Sequence, residues 1–459
     1  MKILVIGGGG REHALVWKIR QSPLVRKRDD VVCVPGNAGI AGEAVCMPPG
    51  PRGLDDAAAL ADLAGSLRAD LTVVGPEAPL MAGLADEMRR RGLRVFGATR
   101  AAARLEWSKV FAKEFMTRHG IPTAPFVVVQ DMEAARAHLA SREAIFPVVI
   151  KADGLAAGKG VAIARDRREA EDAVQGMLSG EFGEAGRRVV IERFLEGTEA
   201  SFFVLSDGER AWPLGSCQDY KRVGDGDEGP NTGGMGAISP SVDVDAGLEQ
   251  EIMSRIVMPA IRGMASEGAP YRGVLYAGLM LVPGAGGAPS DPPVPVTLEF
   301  NARFGDPETQ VLLPRLQADL VPLLADAAEG RLDELPRDLF RREAAACVVM
   351  AAQGYPGRPR TGDEVRGVET LASLEGTQVF HAGTRVEPPE GKGARTVTSS
   401  GRVLAVSSLG EDLGAALRRA YDGVSRISFE GMHHRRDIGR DALARAAARE
   451  RQMAGRGGS

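Results

Sequence analysis

Residues 296–308 read V-T-L-E-F-N-A-R-F-G-D-P-E, a short apolar run with polar residues at alternate positions. This alternation predicts a β-strand, in which successive side chains point to opposite faces. Glu299, Asn301 and Arg303 would share one face. The opposite face would carry Leu298, Phe300 and Ala302. The stretch therefore directs a carboxylate, an amide and a guanidinium into the same space.

These three polar groups suit phosphoryl-transfer chemistry. Carboxylate and amide oxygens are hard ligands for a Mg²⁺ ion that completes its shell with waters and substrate phosphates. The planar guanidinium of Arg303 matches a carboxylate or a phosphate. On this segment alone, an edge strand with a hydrated polar face explains the pattern equally well.

Length and composition describe a multidomain globular protein. The 459 residues allow about three domains, and 44% hydrophobic with 26% charged residues is ordinary for such chains. The net charge of −4 and the pI near 6.0 provide no general field for polyanions. We therefore expect no nucleic-acid partner, and any anion site must be local.

The spacing of the cysteines and the absence of targeting patterns indicate the cellular compartment of the protein. Cys33, Cys46, Cys217 and Cys347 lie far apart, without the spacing of a zinc site or a disulfide scaffold. No signal-peptide pattern follows Met1, and no apolar run approaches the length of a membrane span. We expect a reduced, cytoplasmic monomer without a membrane partner.

The N-terminal region alternates strands with glycine turns and helices. Residues 2–20 predict a strand, a turn of four glycines and a helix, and further strand-turn units follow at 31–39, 71–80 and 94–97. This alternation predicts a doubly wound parallel sheet, whose ligands lie beyond the carboxyl ends of the strands. Those ends carry Gly9, Gly10, Arg11, Glu12, Asn37 and Glu77. Turn formation explains the glycines well but the charged residues poorly.

A nicotinamide-binding oxidoreductase is the alternative from a different class. The dinucleotide fingerprint requires a third glycine where this chain has Glu12, and no acidic ribose ligand follows V-V-C-V at 31–34. Both departures disfavour that function.

The next unit, about 126–193, follows an amphipathic helix at 105–119 and a hinge-like I-P-T-A-P. On that helix Lys109 and Lys113 share a face, and we interpret Lys113 as a solvated surface residue. Lys151 ends a strand and Lys159 lies in the Gly/Ala-rich loop after it, an arrangement typical of a flap over a triphosphate. The order of residues is not that of a P-loop, and a plain glycine hairpin is the competing interpretation.

Two segments downstream are candidates for nucleotide and substrate contacts. The backbone of 192–195 could recognise an adenine edge, and Glu199 could bind ribose hydroxyls. The glycine-rich segment 218–237 is long enough to be either a lid that orders on substrate or a mobile loop. Residues from about 343 to 438 alternate strands and turns before a helix, which predicts a separate α+β module.

Motifs throughout the chain resemble one family. The motifs are G-G-G-R-E-H-A, P-G-N-A-G, V-G-P-E-A-P-L, I-K-A-D-G-L-A-A-G-K-G-V, E-R-F-L-E-G-T-E-A-S-F, Q-D-Y-K-R-V-G-D, G-P-N-T-G-G-M-G-A, Y-A-G-L-M and L-E-F-N-A-R-F-G-D-P-E-T-Q. In this order, and to about Gly439, the chain resembles the phosphoribosylamine–glycine ligase family of ATP-grasp enzymes. The first glycine loop departs slightly, because Gly8 stands where a polar residue is common.

The resemblance implies four domains and a tail. These are an N-terminal doubly wound domain (1–122), an ATP-grasp lid (123–193), a central ATP-grasp catalytic domain (194–335), a C-terminal α+β module (336–439) and a flexible tail (440–459).

The resemblance also implies the roles of individual residues. Glu299 and Asn301 would bind Mg²⁺ or Mn²⁺, and Arg303 and Lys151 would be catalytic. The ATP site would comprise Lys109, Lys151, Gly158, Lys159, Gly160, Glu192, Phe194, Leu195 and Glu199. Substrates would contact Gly9, Gly10, Arg11, Glu12, Asn37, Glu77, Asp219, Lys221, Arg222, Asn231, Thr232, Gly233 and Arg303.

The implied reaction joins glycine to 5-phosphoribosylamine through glycyl phosphate, with release of ADP and phosphate. No protein nucleophile is needed, in agreement with a sequence that offers no convincing Ser/His/Asp or Cys/His set. Two further alternatives are another ATP-grasp ligase or carboxylase and a catalytically silent nucleotide-binding regulator. Intact Lys109, Lys151, Glu299 and Asn301 disfavour the regulator.

Overall fold

A computed structural model describes residues 1–154, 160–181, 183–284, 292–332, 339–388 and 394–456. Gly158 and Lys159, expected in the flap over ATP, lie outside these ranges. No helix within them combines the length and apolarity needed to cross a membrane.

The N-terminal region forms the parallel five-stranded sheet that the sequence predicts. Its strands are β1 (Ile3–Gly7), β2 (Val31–Pro35), β3 (Val45–Cys46), β4 (Leu71–Val74) and β5 (Val95–Phe96), in the order β3-β2-β1-β4-β5. All four neighbouring pairs are parallel. Ile3 and Val5 enter one hydrophobic core, whereas Leu4 and Ile6 enter another. Both faces of the sheet are therefore covered, and the doubly wound prediction is confirmed.

Helices flank this sheet and lead into the next unit. They are α1 (Gly10–Ile19), α2 (Ile40–Glu43), α3 (Ala57–Leu67), α4 (Glu77–Met81), α5 (Leu84–Arg90), α6 (Arg104–Trp107) and α7 (Lys109–Arg118). Helix α7 begins after Ser108, whose hydroxyl accepts a hydrogen bond from the Phe111 N–H at 3.1 Å. This N-cap places Lys109 in the first turn of the helix.

The unit that follows is a small antiparallel sheet covered by two helices. Its elements are β6 (Phe126–Val129), α8 (Met132–Leu139), β7 (Val148–Ala152), β8 (Val161–Ala164), α9 (Arg167–Gly176) and β9 (Val189–Arg193). The strand order is β6-β9-β7-β8. Asp131 and Asp166 cap the two helices. The sheet buries its own hydrophobic core around Ile150 and Ile191, so we refer to it as the lid.

The central region contributes most of a large antiparallel sheet. Its strands are β10 (Thr198–Asp207), β11 (Ala211–Asp219), β12 (Arg222–Gly224), β13 (Glu228–Asn231), β14 (Gly236–Ser239), β15 (Arg272–Val282) and β16 (Val294–Asn301). Its helices are α10 (Ala246–Ile252), α11 (Met258–Ser266), α12 (Thr309–Arg315) and α13 (Leu320–Glu329). Strands β12 and β13 pair only with each other among the described strands.

The C-terminal module continues this sheet with three strands and adds a separate two-stranded sheet. It comprises β17 (Ala344–Ala351), β18 (Thr377–His381), β19 (Thr384–Glu387), β20 (Arg395–Thr398), β21 (Arg402–Gly410), α14 (Leu413–Ser425) and α15 (Arg440–Arg456). The eight strands of the large sheet run in the order β16-β15-β10-β11-β14-β17-β21-β18, and β19 and β20 form the two-stranded sheet. Gly236 of β14 lies opposite Val348 of β17. The alternating strand pattern did not indicate this continuity.

The end of the chain differs from the flexible tail expected at 440–459. Helix α15 starts at Arg440, and its Ala442 is fully buried. Arg445 and Arg449 each approach the buried carboxylate of Asp243 to 2.9 Å. Because a buried carboxylate requires a partner, these ion pairs hold the first three turns of the helix against the central region.

We expect Arg445→Ala to lower the free energy of unfolding by about 1–3 kcal/mol, because Asp243 would retain only Arg449 as its cationic partner. Urea unfolding followed by circular dichroism measures the change. The matched control is Arg451→Ala on the same helix, where the side chain is exposed. Equal effects of the two substitutions would show that the helix is not held by this ion pair.

Candidate functional site

A cavity of about 790 Å³ lies where the N-terminal sheet, the lid, the large sheet and the C-terminal module meet. Most residues predicted for function line it. From the predicted set these are Gly9, Arg11, Glu77, Lys109, Lys151, Gly160, Glu192, Phe194, Leu195, Glu199, Asp219, Lys221, Asn231, Thr232, Gly233, Glu299, Asn301 and Arg303. The fold thus brings distant motifs into one chamber.

Strand β16, which the sequence predicted, forms one wall of the cavity with its polar face. Glu299 and Asn301 line it, whereas Phe300 is 1% exposed and packs in the core. Leu298 was expected on the core face, yet it also borders the cavity. The reason is a bulge: Gly278 pairs with Glu299 but Leu279 pairs with Thr297, so one residue of β16 is extra.

Glu299 is surrounded by cations. Burial opposes its ionisation, but Lys221, Lys151, Lys109 and Arg303 outweigh burial and lower the pKa of its carboxyl. Glu299 is therefore a carboxylate at neutral pH, which is the form that binds a divalent cation.

Two protein oxygens are available for such a cation. Within the described ranges, no group of three or more His, Cys, Asp or Glu side chains is arranged to hold a metal. Glu299 and Asn301 fit a Mg²⁺ ion that takes its remaining ligands from phosphates and water, as Mg²⁺ commonly does.

Arg303 is held by carboxylates on both sides. Its Nη2 lies 2.8 Å from Glu106 Oε1, and its Nε lies 3.4 Å from Glu77 Oε2. Burial works against the charge, but these carboxylates raise the pKa of the guanidinium. Nε is buried and has no hydrogen-bond partner within the described structure. The guanidinium thus retains unused donor capacity for an anionic ligand.

Glu106 is a site residue that the sequence did not reveal. Its Oε2 accepts a hydrogen bond from the Ala302 N–H at 2.8 Å, which ties α6 to the end of β16. Burial raises the pKa of Glu106, although Arg303 opposes that shift. In the sequence Glu106 is one acidic residue on an amphipathic helix, without a distinguishing signal.

Lys113 is buried, contrary to its interpretation as a solvated lysine. It is 2% exposed, and its Nζ lies 2.9 Å from Glu192 and 2.7 Å from the Thr123 hydroxyl. Lys151 Nζ lies 3.0 Å from the same Glu192 carboxylate. Burial lowers the pKa of Lys113 to about 8, with Glu192 opposing and Lys151 reinforcing the shift. The Glu192 carboxylate therefore forms ion pairs with both lysines.

The remaining lysine, Lys109, faces the same chamber from the start of α7. Its Nζ donates to the Gly154 carbonyl at 3.1 Å. Lys151 also donates to the Leu298 carbonyl at 3.3 Å, which connects the lid to β16. Both ammonium groups act electrostatically on the Glu299 carboxylate.

Three predicted substrate residues have structural roles in this fold. Glu12 lies beneath the glycine loop, accepting from the Gly9 N–H and from Arg11 Nε, each at 2.7 Å. Gly10 permits close packing, because a Cβ there would lie 2.6 Å from Gln310 Nε2. Neither Glu12 nor Gly10 lines the cavity.

Asn37 is the third of these residues. Its amide nitrogen donates to the carbonyls of Gly8 and His381 at 3.0 and 2.7 Å, and its oxygen accepts from the N–H groups of Gly39 and Ile40, each at 3.0 Å. The side chain is saturated by backbone. It therefore joins the glycine loop, the 37–40 turn and the C-terminal module.

The segment 218–237 is a folded hairpin bordered by cavity residues. Lys221 Nζ lies 2.5 Å from Glu199 and 3.9 Å from Asp219. Burial raises the pKa of Asp219 to about 7, and Lys221 opposes that shift. Arg222 was predicted to contact substrate, but it does not line the cavity and instead donates to the Gly229 carbonyl at 2.8 Å.

The C-terminal module supplies a wall that sequence reasoning did not predict. Arg402 donates to the carbonyls of Gly233 and Asp306 at 2.6 and 2.7 Å. The Tyr355 hydroxyl accepts from the Gly233 N–H at 2.9 Å. The module also lines the cavity with Ala382, Gly383, Ser400 and Gly401. In the sequence these are ordinary turn residues without a motif.

Family models account for nearly the entire chain. The phosphoribosylglycinamide synthetase N domain matches residues 1–106, the ATP-grasp (A) domain of that synthetase matches 107–309, and its C domain matches 345–441.

Relatives of known name extend over the same length. The chain is 50% identical to phosphoribosylamine–glycine ligase of Escherichia coli O157:H7 over 446 residues, which cover 97% of this chain and 99% of the relative. It is 49% identical to the ligase of the same name from Xanthomonas axonopodis pv. citri, over 99% of this chain and the whole relative.

Solved structures share the fold. The crystal structure of phosphoribosylamine–glycine ligase from Thermotoga maritima matches with a TM-score of 0.79 and 33% identity, over 95% of this chain and all of that one. The biotin carboxylase domain of Hydrogenobacter thermophilus 2-oxoglutarate carboxylase matches with a TM-score of 0.70 and 18% identity, over 94% and 91% of the two chains. At that identity the second likeness concerns the fold alone. With all three domain models in order and half of its residues identical along the full length of a ligase, the chain belongs to the phosphoribosylglycinamide synthetase family.

Proposed function

We propose that this protein uses ATP to ligate glycine to 5-phosphoribosylamine, giving glycinamide ribonucleotide, ADP and phosphate, a step of purine biosynthesis. The observation that carries the proposal is the cavity itself. It combines Lys109 and Lys151, an ionised Glu299 beside Asn301, and the carboxylate-held Arg303 in a chain with full-length ligase relatives.

The lid side of the cavity would hold ATP. Lys109 and Lys151 would contact phosphates, and Gly160 also lines the cavity. The backbone at Phe194 and Leu195 would meet the adenine. Since the carboxylate of Glu192 is occupied by Lys113 and Lys151, its contribution would be to position Lys151.

Glu199 would bind the ribose hydroxyls only after exchanging a partner. In this structure its carboxylate pairs with Lys221. Ribose binding would therefore release Lys221 towards the other end of the cavity.

Glu299 and Asn301 would hold Mg²⁺ or Mn²⁺, which when bound offsets the negative charge of the phosphates. Arg303 would orient the glycine carboxylate towards the γ-phosphate and lower the repulsion between the two anions. Attack forms glycyl phosphate and ADP. The amine of phosphoribosylamine then attacks the carbonyl carbon and releases phosphate.

The N-terminal strand ends and the hairpin would hold the small substrates. Gly9, Arg11 and Glu77 line the cavity from the N-terminal region. Asp219, Lys221, Asn231, Thr232 and Gly233 line it from the hairpin and its flanks. This division would place phosphoribosylamine against the parallel sheet and glycine near the hairpin.

The proposal also includes the oligomeric state, the cellular compartment and the domain limits. We retain the expectation of a monomer. The four cysteines are unpaired thiols, which supports a reducing cytoplasm. We retain the limits 1–122, 123–193, 194–335 and 336–439, with the lid limits close to the ends of its four-stranded sheet.

The decisive experiment measures ADP release with each substrate omitted in turn. ADP should form only when ATP, glycine and phosphoribosylamine are all present, and the product should contain glycine. Release that ignores either omission would contradict the proposal and favour a different ATP-grasp ligase or carboxylase.

Glu299→Ala should reduce kcat by at least about 100-fold while the protein stays folded, because the cation would lose its carboxylate ligand. Steady-state kinetics at saturating Mg²⁺ and Mn²⁺ measure the loss. Glu133→Gln on the exposed face of α8 is the control. Near-normal turnover of Glu299→Ala at high metal would refute the metal assignment.

Arg303→Lys should lower kcat/KM for glycine by about 100-fold, because an ammonium cannot engage Glu106, Glu77 and the substrate carboxylate at once. The same exchange at exposed Arg418 should have no effect. Unchanged kinetics for both small substrates would remove Arg303 from the mechanism.

The KM for ATP should rise as the pH increases through about 8, the pKa of Lys113. Below that pH, charged Lys113 neutralises Glu192 and leaves Lys151 free for phosphate. Above that pH, Lys113 is neutral, so Lys151 is the only ammonium that neutralises Glu192 and is less free for phosphate. Lys113→Met should show a KM raised about tenfold and flat across this range, whereas exposed Lys27→Met should follow the parent profile. A parent profile that is flat near pH 8 would contradict this coupling.

A further inference from the structure

The hairpin β12–β13 carries substrate-facing residues at its base but has little support of its own. Lys221 precedes β12, and the segment Asn231–Gly233 ends β13 and follows it. All four residues of β13 are exposed, and the two strands pair only at Arg222 with Asn231 and Gly224 with Glu228. Something outside the hairpin must therefore hold it in place.

That support comes from residues 433–437, H-H-R-R-D, which we call the C-terminal strap. His433 Nε2 lies 2.7 Å from the Val223 carbonyl. The Arg436 N–H donates to Asp225 Oδ1 at 2.7 Å, and Asp437 Oδ2 accepts from the Gly226 N–H at 2.7 Å. The strap thus contacts the hairpin through several residues of both segments.

Arg435 is the centre of the strap. Its side chain is 1% exposed, and its Nη1 lies 2.5 Å from Asp227 Oδ1 and 3.3 Å from the Arg222 carbonyl. Nε and Nη2 each donate to Asp437 at 2.8 Å. The guanidinium lies over the ring of Tyr220, 5.2 Å from its centroid. The buried, planar guanidinium therefore contacts the hairpin at Asp227 and at the Arg222 carbonyl, while its bonds to Asp437 hold its orientation.

The backbone at the hairpin tip is left-handed at three positions. Asp227 has φ +57°, in the left-handed region that few non-glycine residues adopt. Its neighbour Gly226 has φ +70° and Gly229 has φ +80°. A glycine would suit position 227 sterically, but only a carboxylate can pair with Arg435 there.

The base of the hairpin transmits its position to the cavity. The Thr232 N–H and hydroxyl donate to the Lys221 carbonyl at 2.7 and 2.8 Å. The next residue, Gly233, contacts Tyr355 and Arg402. A displacement of the hairpin would move Lys221 and the segment Asn231–Gly233 together, while Lys109 on α7 and Lys151 in the lid would stay in place.

We propose that Arg435 is a positioning residue for the reaction: through Asp227 and the hairpin it holds Lys221 and Asn231–Gly233 in their places around the small substrates. The identity of those substrates rests on the proposed function. The positional role itself does not.

The test compares Arg435→Lys and Asp227→Asn with matched variants of an exposed pair at the end of α14, Arg426→Lys and Asp422→Asn, whose side chains lie 2.9 Å apart; we call the latter two the α14 variants. Asparagine keeps the tolerance for left-handed backbone, so Asp227→Asn removes the ion pair alone. The Asp227 side chain is 66% exposed, so the Asp227→Asn variant remains informative even if Arg435→Lys fails to fold.

In Arg435→Lys and Asp227→Asn, which we call the clamp variants, kcat/KM for glycine and phosphoribosylamine should fall by about tenfold or more, while the Kd of a non-hydrolysable ATP analogue stays within about twofold. The α14 variants should match the parent in every measurement. An equal loss for ATP and the small substrates, or no loss at all, would overturn the proposal.

Amide hydrogen exchange provides a second readout that needs no turnover. Exchange across residues 222–231 should accelerate in the clamp variants and remain at the parent rate in the α14 variants. Unchanged exchange would refute the positional role. If the parent fails the substrate-omission test but hairpin exchange accelerates in the clamp variants, the proposed function is wrong and the positional role of Arg435 is retained.

Discussion

The buried carboxylate of Glu192, shared by Lys113 and Lys151, is the interaction on which the active chamber depends. It joins three elements that are distant in sequence, since Lys113 lies on α7, Lys151 on β7 and Glu192 on β9. Burying one carboxylate with two ammonium groups is tolerable only because each has a close partner, with Thr123 satisfying Lys113 further. The interaction fixes the lid on the helix that precedes it and aims Lys151 at Leu298 of β16.

A second constraint is the continuity of the large sheet. Because β14 pairs with β17, the C-terminal module shares its hydrogen-bond ladder with the strands that carry Glu299 and Asp219. Rigid attachment explains how Arg402 and Tyr355 reach Gly233, and how the strap reaches the hairpin. The module is therefore a structural part of the site, and its position is set by backbone pairing instead of by a flexible linker.

The two constraints divide the chamber into regions of different origin. Charged groups between the lid and β16 face the region proposed for ATP, whereas backbone pairing and the strap organise the region proposed for the small substrates. Arg303 lies between them, held by Glu106 from α6 and Glu77 from α4. Its neighbours come from the segments before the lid, so the residue proposed to orient glycine does not depend on lid position.

The sequence by itself determined the parallel N-terminal sheet, the family, and the faces of Glu299, Asn301 and Arg303, because these follow from local periodicity and contiguous motifs. It did not determine the burial of Lys113, the bulge that turns Leu298 to the cavity, or the contributions of Glu106 and Arg402. Those depend on partners far away in the chain: Glu192 for Lys113, β15 for the bulge, and Asp306 for Arg402. A local pattern records which groups are available, but only tertiary packing decides which of them are desolvated, paired or left free to bind a ligand.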